Sequence, residues 1–212
     1  MSGGRTAGAP DKRRIILEAG VRVFARQGFH TCRVSDIADE AGVAYGLVYH
    51  YFQSKDQILD TLFTERWDVL LQVIADVDAG NDRARDKLQA IAGFIIDSYR
   101  HDPDLMKVII VEVTRAANTF GRTHLPEIRR AYDGIATIVE RAQRAGEFKA
   151  DVTAQFAAMA FYGAIEQALT GWIFDVLPGG EAEFELAKRS IVATVCGGLD
   201  AAPAASPSAG AV

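Results

Sequence analysis

Cysteine is nearly absent from the 212-residue chain: Cys32 and Cys196 are too few and too far apart for a disulfide framework or a metal-binding spacing. That excludes a stapled secreted scaffold and leaves a reducing cytoplasm as the expected compartment. No apolar run reaches the roughly 18 residues a membrane span requires, and the Gly-rich first ten residues lack the apolar core of a signal peptide, so no membrane partner is expected. Histidines number four and are scattered; only His101 beside Asp102 and His124 near Glu127 have an acid close in sequence. No HExxH, paired-cysteine, nucleophile-elbow or phosphate-cradling glycine motif accompanies them, so catalytic residues, metal and cofactor are all expected to be none. Convincing strand alternation and internal repeats are missing too.

What remains is helical periodicity on a chain that is 49% hydrophobic, enough for a sizeable core. Helices are expected at 11–27, through a short motif at 34–52, and near 55–78, 83–101, 103–117, 125–146, 153–175 and 181–199. Breaks fall at Gly28, Ala79-Gly80-Asn81, Asp102-Pro103, Gly121 with Pro126, Gly146 and Pro178-Gly179-Gly180. The fold class is therefore all-α, about nine helices, divided into a tail (1–10), a DNA-binding domain (11–54), a ligand-binding and dimerisation domain (55–200) and a second tail (201–212). Both tails are too poor in apolar residues to order themselves. For the first, an alternative is a basic arm in which Arg5, Lys12, Arg13 and Arg14 reach phosphates or a minor groove.

The segment 34–55, VSDIADEAGVAYGLVYHYFQSK, carries the strongest functional signal. Ile37, Ala38 and Ala41 form one apolar helix face, opposite Ser35, Asp36, Asp39 and Glu40. Gly42 supplies a left-handed stop and Val43 folds back as a hydrophobic contact. In the second helix Val48 and Phe52, four apart, face inward. Tyr45, Gly46, Leu47, Tyr49, His50 and Tyr51 are left facing outward, where a helix lying in a major groove can use hydroxyl, imidazole and apolar groups. Ser54 with Gln57 reads as a capping box for the next helix, and Lys55 opposes the helix dipole in its first turn, as a phosphate-gripping cation would. Charge agrees: residues 1–55 carry eight Lys/Arg against five acids, +3 on a chain of net −5, which leaves −8 for the remainder.

Gln27-Gly28-Phe29, Asp36-Ile37-Ala38, Ala41-Gly42-Val43, Gly46, Tyr49, Phe52 and Ser54-Lys55 together resemble the DNA-binding domain of the TetR family of bacterial transcription regulators, over roughly residues 12–60. Where that family usually has Thr and Ser as helix N-caps, this chain has Arg33 and Ala44, each an expected loss of about 1 kcal/mol. Arg33 has a phosphate as its alternative partner. The resemblance implies a DNA reader, most simply a repressor acting at a palindromic double-stranded operator. Its candidate contacts are Arg33, Ala44, Tyr45, Gly46, Leu47, Tyr49, His50, Tyr51 and Lys55.

For the second domain two readings of the apolar faces stand: bundle core, or the lining of a cavity for a small hydrophobic effector. The candidate lining is Phe94, Met106, Ile109, Val113, Tyr132, Ile135 and Glu166. The stretch 156–165 is apolar almost all round and must be covered on every side. It and the last helix are expected to pair with a second copy through Phe161, Gly163, Ala164, Trp172, Ile191 and Val195. The TetR resemblance implies the same arrangement, a four-helix bundle between two subunits. Two recognition helices would then stand about 34 Å apart. Glu166, Gln167 and Thr170 either wet this seam or line the cavity. A further resemblance, at Gly28-Phe29-His30, Tyr49-x-Tyr51-Phe52 and Gly163-Ala164-Ile165-Glu166 with Thr170-x-Trp172, is to the TetR-type regulators of fatty-acid degradation. It implies release of the operator by long-chain acyl-CoA, with Arg115, Arg122, Arg129 and Arg130 as candidates for the CoA phosphates. The competing reading is a helical lipid- or drug-binding protein without a DNA role, which leaves the rings of 45–51 without purpose.

Overall fold

The computed structural model of the chain describes residues 11–114 and 123–199, with backbone alone at 113 and 114. Both expected tails, and the candidate cations Arg5, Arg115 and Arg122, lie outside the described residues. Those described residues form nine α-helices and one π-helical turn, with no strand. In chain order these are α1 Lys12–Gln27, α2 Val34–Ala41, α3 Tyr45–Tyr51, α4 Lys55–Ala79, α5 Ala84–His101 and α6 Pro103–Val108, followed by α7 Leu125–Arg144, α8 Ala154–Ile173 and α9 Glu181–Leu199. The expected helix at 103–117 differs in kind. It is α-helical only to Val108, and Ile109–Thr114 continues as a π-helix.

Local chemistry sets the ends. Asp11 accepts the Arg13 N–H at 3.0 Å to start α1, and Gly28 stops it at φ +81°. Asp102 accepts from Leu105 N–H at 3.0 Å ahead of Pro103, and Thr153 accepts from Phe156 N–H at 3.3 Å to open α8. After α7 the Gly146 N–H returns to Gln143 O and the Glu147 N–H to Ala142 O, satisfying the last carbonyls.

The helices gather into two compact units, Met1–Asp68 with His101–Thr123, and Val69–Arg100 with His124–Val212. In packing terms the first unit thus runs past the motif's end at Ser54 into α4 and takes in α6. Its core joins Ile16, Phe24, Ile37, Val48 and Phe52 to Ile58, Phe63 and Ile110, all essentially buried. Gly20 allows α1 and α4 to touch: a Cβ there would lie 2.9 Å from Ile58 Cγ2.

The second unit is centred on Leu88, Ile91, Ile96, Ile135, Val139, Phe148, Phe161 and Ile165. At one end Trp172 packs edge-on against Phe184 and stacks on Tyr99, while its indole N–H donates to Pro178 O at 3.2 Å. Lys188 is buried and donates to Asp97 at 2.6 Å and Glu185 at 2.5 Å, tying α9 to α5. Burial alone would lower its pKa, but the two carboxylates outweigh that and hold it above the ordinary lysine value.

Candidate functional site

Three helices, α1 to α3, build the DNA-facing end of the first unit. The turn between α2 and α3 closes as the sequence requires. Gly42 is left-handed at φ +62°, its N–H bonds to Asp39 O at 3.1 Å, and the Val43 N–H reaches Ala38 O at 3.0 Å. Those are the two bonds of a Schellman stop. Arg33 offers no side-chain cap, yet its N–H donates to Asp36 Oδ2 at 2.8 Å, so the acid three residues on supplies half a capping box. Ala44 caps nothing, as its methyl dictates.

Within α3 the inward residues are Val48, fully buried, and Phe52, at the helix's end. The outward ones are Tyr45, 53% exposed, Tyr49, 44%, and Tyr51, 37%, with His50 exposed and Leu47 half-buried. Tyr45 and Tyr49 hydroxyls meet at 3.1 Å, their rings edge-to-face at 5.1 Å. That hydrogen bond is the main reason the Tyr49 phenol is held above its ordinary pKa. His50 and Tyr51 form a second edge-to-face pair at 5.1 Å. Nothing lies within 4 Å of where a Gly46 Cβ would stand, so the backbone there is open to close approach.

Lys55 is engaged differently from the phosphate-gripping expectation. Its ammonium donates to Phe29 O at 2.6 Å, Cys32 O at 2.9 Å and His30 O at 3.4 Å, and lies 4.7 Å from the Phe29 ring centroid. Its three donors are turned onto the α1–α2 loop, whose carbonyls would otherwise lack acceptor partners at a half-buried site. The capping box next to it is also shifted: Ser54 Oγ accepts the Gln57 N–H at 3.2 Å, but Gln57 Oε1 takes the N–H of Gln53, at 2.6 Å, rather than that of Ser54.

Two carboxylates that the sequence gave no reason to single out complete this end. Glu40 on α2 accepts from Arg22 Nε at 2.6 Å and from Arg26 at 3.0 Å, both on α1, and these two hydrogen bonds hold its carboxyl below the usual carboxylate range. Glu112, on the π-turn, accepts the Phe29 N–H at 3.2 Å. The loop after α1 is therefore held by Lys55 through its carbonyls and by Glu112 through an amide.

The residues expected to bind an effector are dispersed. Met106 and Ile109 are buried in the first unit; Phe94, Tyr132, Ile135 and Glu166 belong to the second. Val113's side chain lies outside the described residues. Ile135 is fully buried core rather than a cavity wall. Tyr132, by contrast, lines an open groove of about 310 Å³ beside Leu125, Ile128, Arg129, Asp133, Gln155 and Met159, on α7 and α8. Its ring meets Tyr162 edge-on at 5.3 Å, and both phenols have raised pKa values, from burial first and from the Glu166 carboxylate second. Arg129 lines the groove, and Arg130 is exposed on the same helix.

The expected dimer residues divide. Phe161 and Trp172 are buried within their own chain and cannot face a second copy without unfolding it. Gly163 is exposed on α8, Ala164 is half-exposed, and Ile191 and Val195 on α9 are half-buried. The exposed side of α8 runs instead through Phe156, 63% exposed, Met159, 58%, Ala160 and Gly163. Among the described residues no helix is long and apolar enough to cross a membrane.

An all-α chain whose first three helices present an aromatic second helix beyond a tight glycine turn is a helix-turn-helix transcription regulator, not an enzyme. Residues 16–62 match the model of bacterial regulatory proteins of the tetR family and residues 85–195 match the tetracyclin repressor-like C-terminal domain; the chain belongs to the TetR family. It is similar to the fatty acid metabolism regulator protein of Bacillus subtilis, 30% identical over 164 residues, covering 76% of this chain and 82% of that protein. It is also similar to the transcriptional repressor KstR2 of Rhodococcus jostii, 23% identical over 195 residues, 92% of this chain and 94% of the other. Among solved structures, the regulator FadR from Bacillus subtilis in complex with stearoyl-CoA shares the fold at TM-score 0.77 and 23% identity, over 87% of this chain and 98% of that one.

Proposed function

We propose that this regulator is a homodimeric repressor that binds a palindromic operator through α3 and leaves it when a small hydrophobic effector, a long-chain acyl-CoA, occupies the second unit. The observation that carries the DNA half is the exposure of Tyr45, Tyr49 and His50 on α3 while Val48 and Phe52 anchor it. Exposed rings on a short helix have no packing role, whereas a major groove offers them bases and phosphates. The groove-facing set is Tyr45, Gly46, Leu47, Tyr49 and His50, with Tyr51, Arg33 and Ala44 at its margins.

The effector half is supported by the likeness to a fatty acid metabolism regulator and by the groove beside Tyr132. Leu125, Ile128, Tyr132 and Met159 give it apolar walls for an acyl chain; Arg129 is a cation within reach of an acidic head group. Pairing of two copies through the exposed side of α8 and the adjoining α9 would cover Phe156 and Met159, large apolar groups seldom left in water together. α4 is one unbroken helix with residues in both units, so a change of effector state has a rigid element along which to reach Lys55. The effector must bind the two states unequally for this to act.

The test is direct. Tyr49→Ala should abolish operator binding in a mobility-shift assay while the protein remains a folded dimer; persistence of binding would remove α3 from the role. Addition of stearoyl-CoA should release wild-type protein from the same duplex, and free coenzyme A should not. Release by neither, or equally by both, would remove the acyl-chain reading.

A further inference from the structure

Recognition helix α3 reads YGLVYHY and contains no Arg, Lys, Asn, Gln, Asp, Glu, Ser or Thr. In a major groove, guanine is distinguished by Arg or Lys on O6 and N7, adenine by Asn or Gln on N6 and N7, and cytosine by an acid on N4. None of those side chains is on this helix. Arg33 caps α2 and Gln53 lies beyond the last residue of α3, so neither adds to its face.

What the face does present is apolar and rigid. Leu47 is half-exposed, and Gly46 has open space above it. Tyr45 and Tyr49 are locked edge-to-face, and their hydroxyls share one hydrogen bond at 3.1 Å, which leaves the pair a single outward O–H donor. One donor and the His50 imidazole can each make single hydrogen bonds, which position a helix but discriminate bases poorly. The one base feature of the major groove that apolar contact recognises is the C5-methyl group of thymine.

We propose that α3 selects its operator through thymine methyl groups, met by Leu47 and by the ring edges of the Tyr45–Tyr49 pair. This rests on α3 being the groove-entering helix. Orientation of each T·A pair matters under this scheme, because only one strand carries the methyl at a given step. Specificity is then built from several small apolar contacts, with the phosphate backbone supplying most of the affinity.

The experiment starts from the full-length protein and a randomised duplex pool, from which the strongest site is selected. Each thymine of that site is then replaced singly by deoxyuridine, which removes one methyl and changes nothing else. At two or more positions in each half-site, affinity should fall about three- to five-fold per methyl, as for loss of one buried methyl-sized group. Leu47→Ala, checked by circular dichroism for its fold, should erase the thymine–uracil difference at its own position and leave the others. Selected sites whose affinity is indifferent to every uracil substitution overturn the methyl reading while leaving α3 as the reader. A larger loss on replacing a guanine by 7-deazaguanine also overturns it. Failure to enrich any duplex overturns both readings together.

Discussion

Lys55 occupies a first-turn position that the helix dipole disfavours, and what offsets this is a set of three carbonyls from one loop. A methionine there would fill similar space and leave those carbonyls without their donor. Lys55→Met should therefore lower stability by about 1–3 kcal/mol, read as a fall in melting temperature. The slope of log affinity against log salt should stay unchanged, since no phosphate contact is lost. A normal melt with a slope smaller by about one would return Lys55 to the phosphates. Gly20→Ala makes two effects compete. Helix propensity favours alanine by up to about 1 kcal/mol. Forcing a methyl to 2.9 Å from fully buried Ile58 costs about 1–3 kcal/mol, so net destabilisation is expected in a denaturant titration.

Among the elements, local ones were legible in the sequence and distant pairings were not. Gly28, Gly42, Asp102 and Thr153 announced their helix ends because capping is written within a few residues. Glu40 and Glu112 could not be read, for their partners lie 14 and 18 residues away in one case and 83 in the other. The same limit misplaced Phe161 and Trp172. A helix apolar all round does not say which face its own chain covers, and here the largest rings went inward while Ala160 and Gly163 stayed out. The α1–α2 clamp has a pH signature. Because the folded-state pKa of Glu40 is depressed by Arg22 and Arg26, its contribution is fully present above the unfolded value, about 4.3, and is lost as pH falls through the folded one. Acid unfolding followed by circular dichroism should thus show Glu40→Gln with a shallower loss of stability below about pH 4.3 than wild type. An identical acid limb in the two proteins would mean the clamp contributes nothing.

At the scale of the whole molecule, net charge −5 coexists with a head of +3, so binding to DNA depends on presenting one end rather than on bulk attraction. Two copies double that head, which makes the α8 face decisive. Gly163→Arg should leave the chain folded, shift its mass in light scattering to that of a monomer and reduce operator affinity by orders of magnitude. Phe161→Ala should instead destabilise the subunit by about 3–5 kcal/mol, a loss visible before any change in assembly. If Gly163→Arg remains dimeric, two copies meet elsewhere.

The π-helical turn at Ile109–Thr114 has a consequence for how the chain tolerates changes in length. A π-turn houses one residue more than α-helical pairing needs. Deleting Ile110 would let the backbone close into ordinary i→i+4 bonds, so helix content should survive a change that usually wrecks a helix. Direction would not survive it. Every side chain beyond the deletion turns by about 100° relative to α6, Glu112 swings away from the Phe29 amide, and a regulator of normal fold would be left with its α1–α2 loop held from one side only.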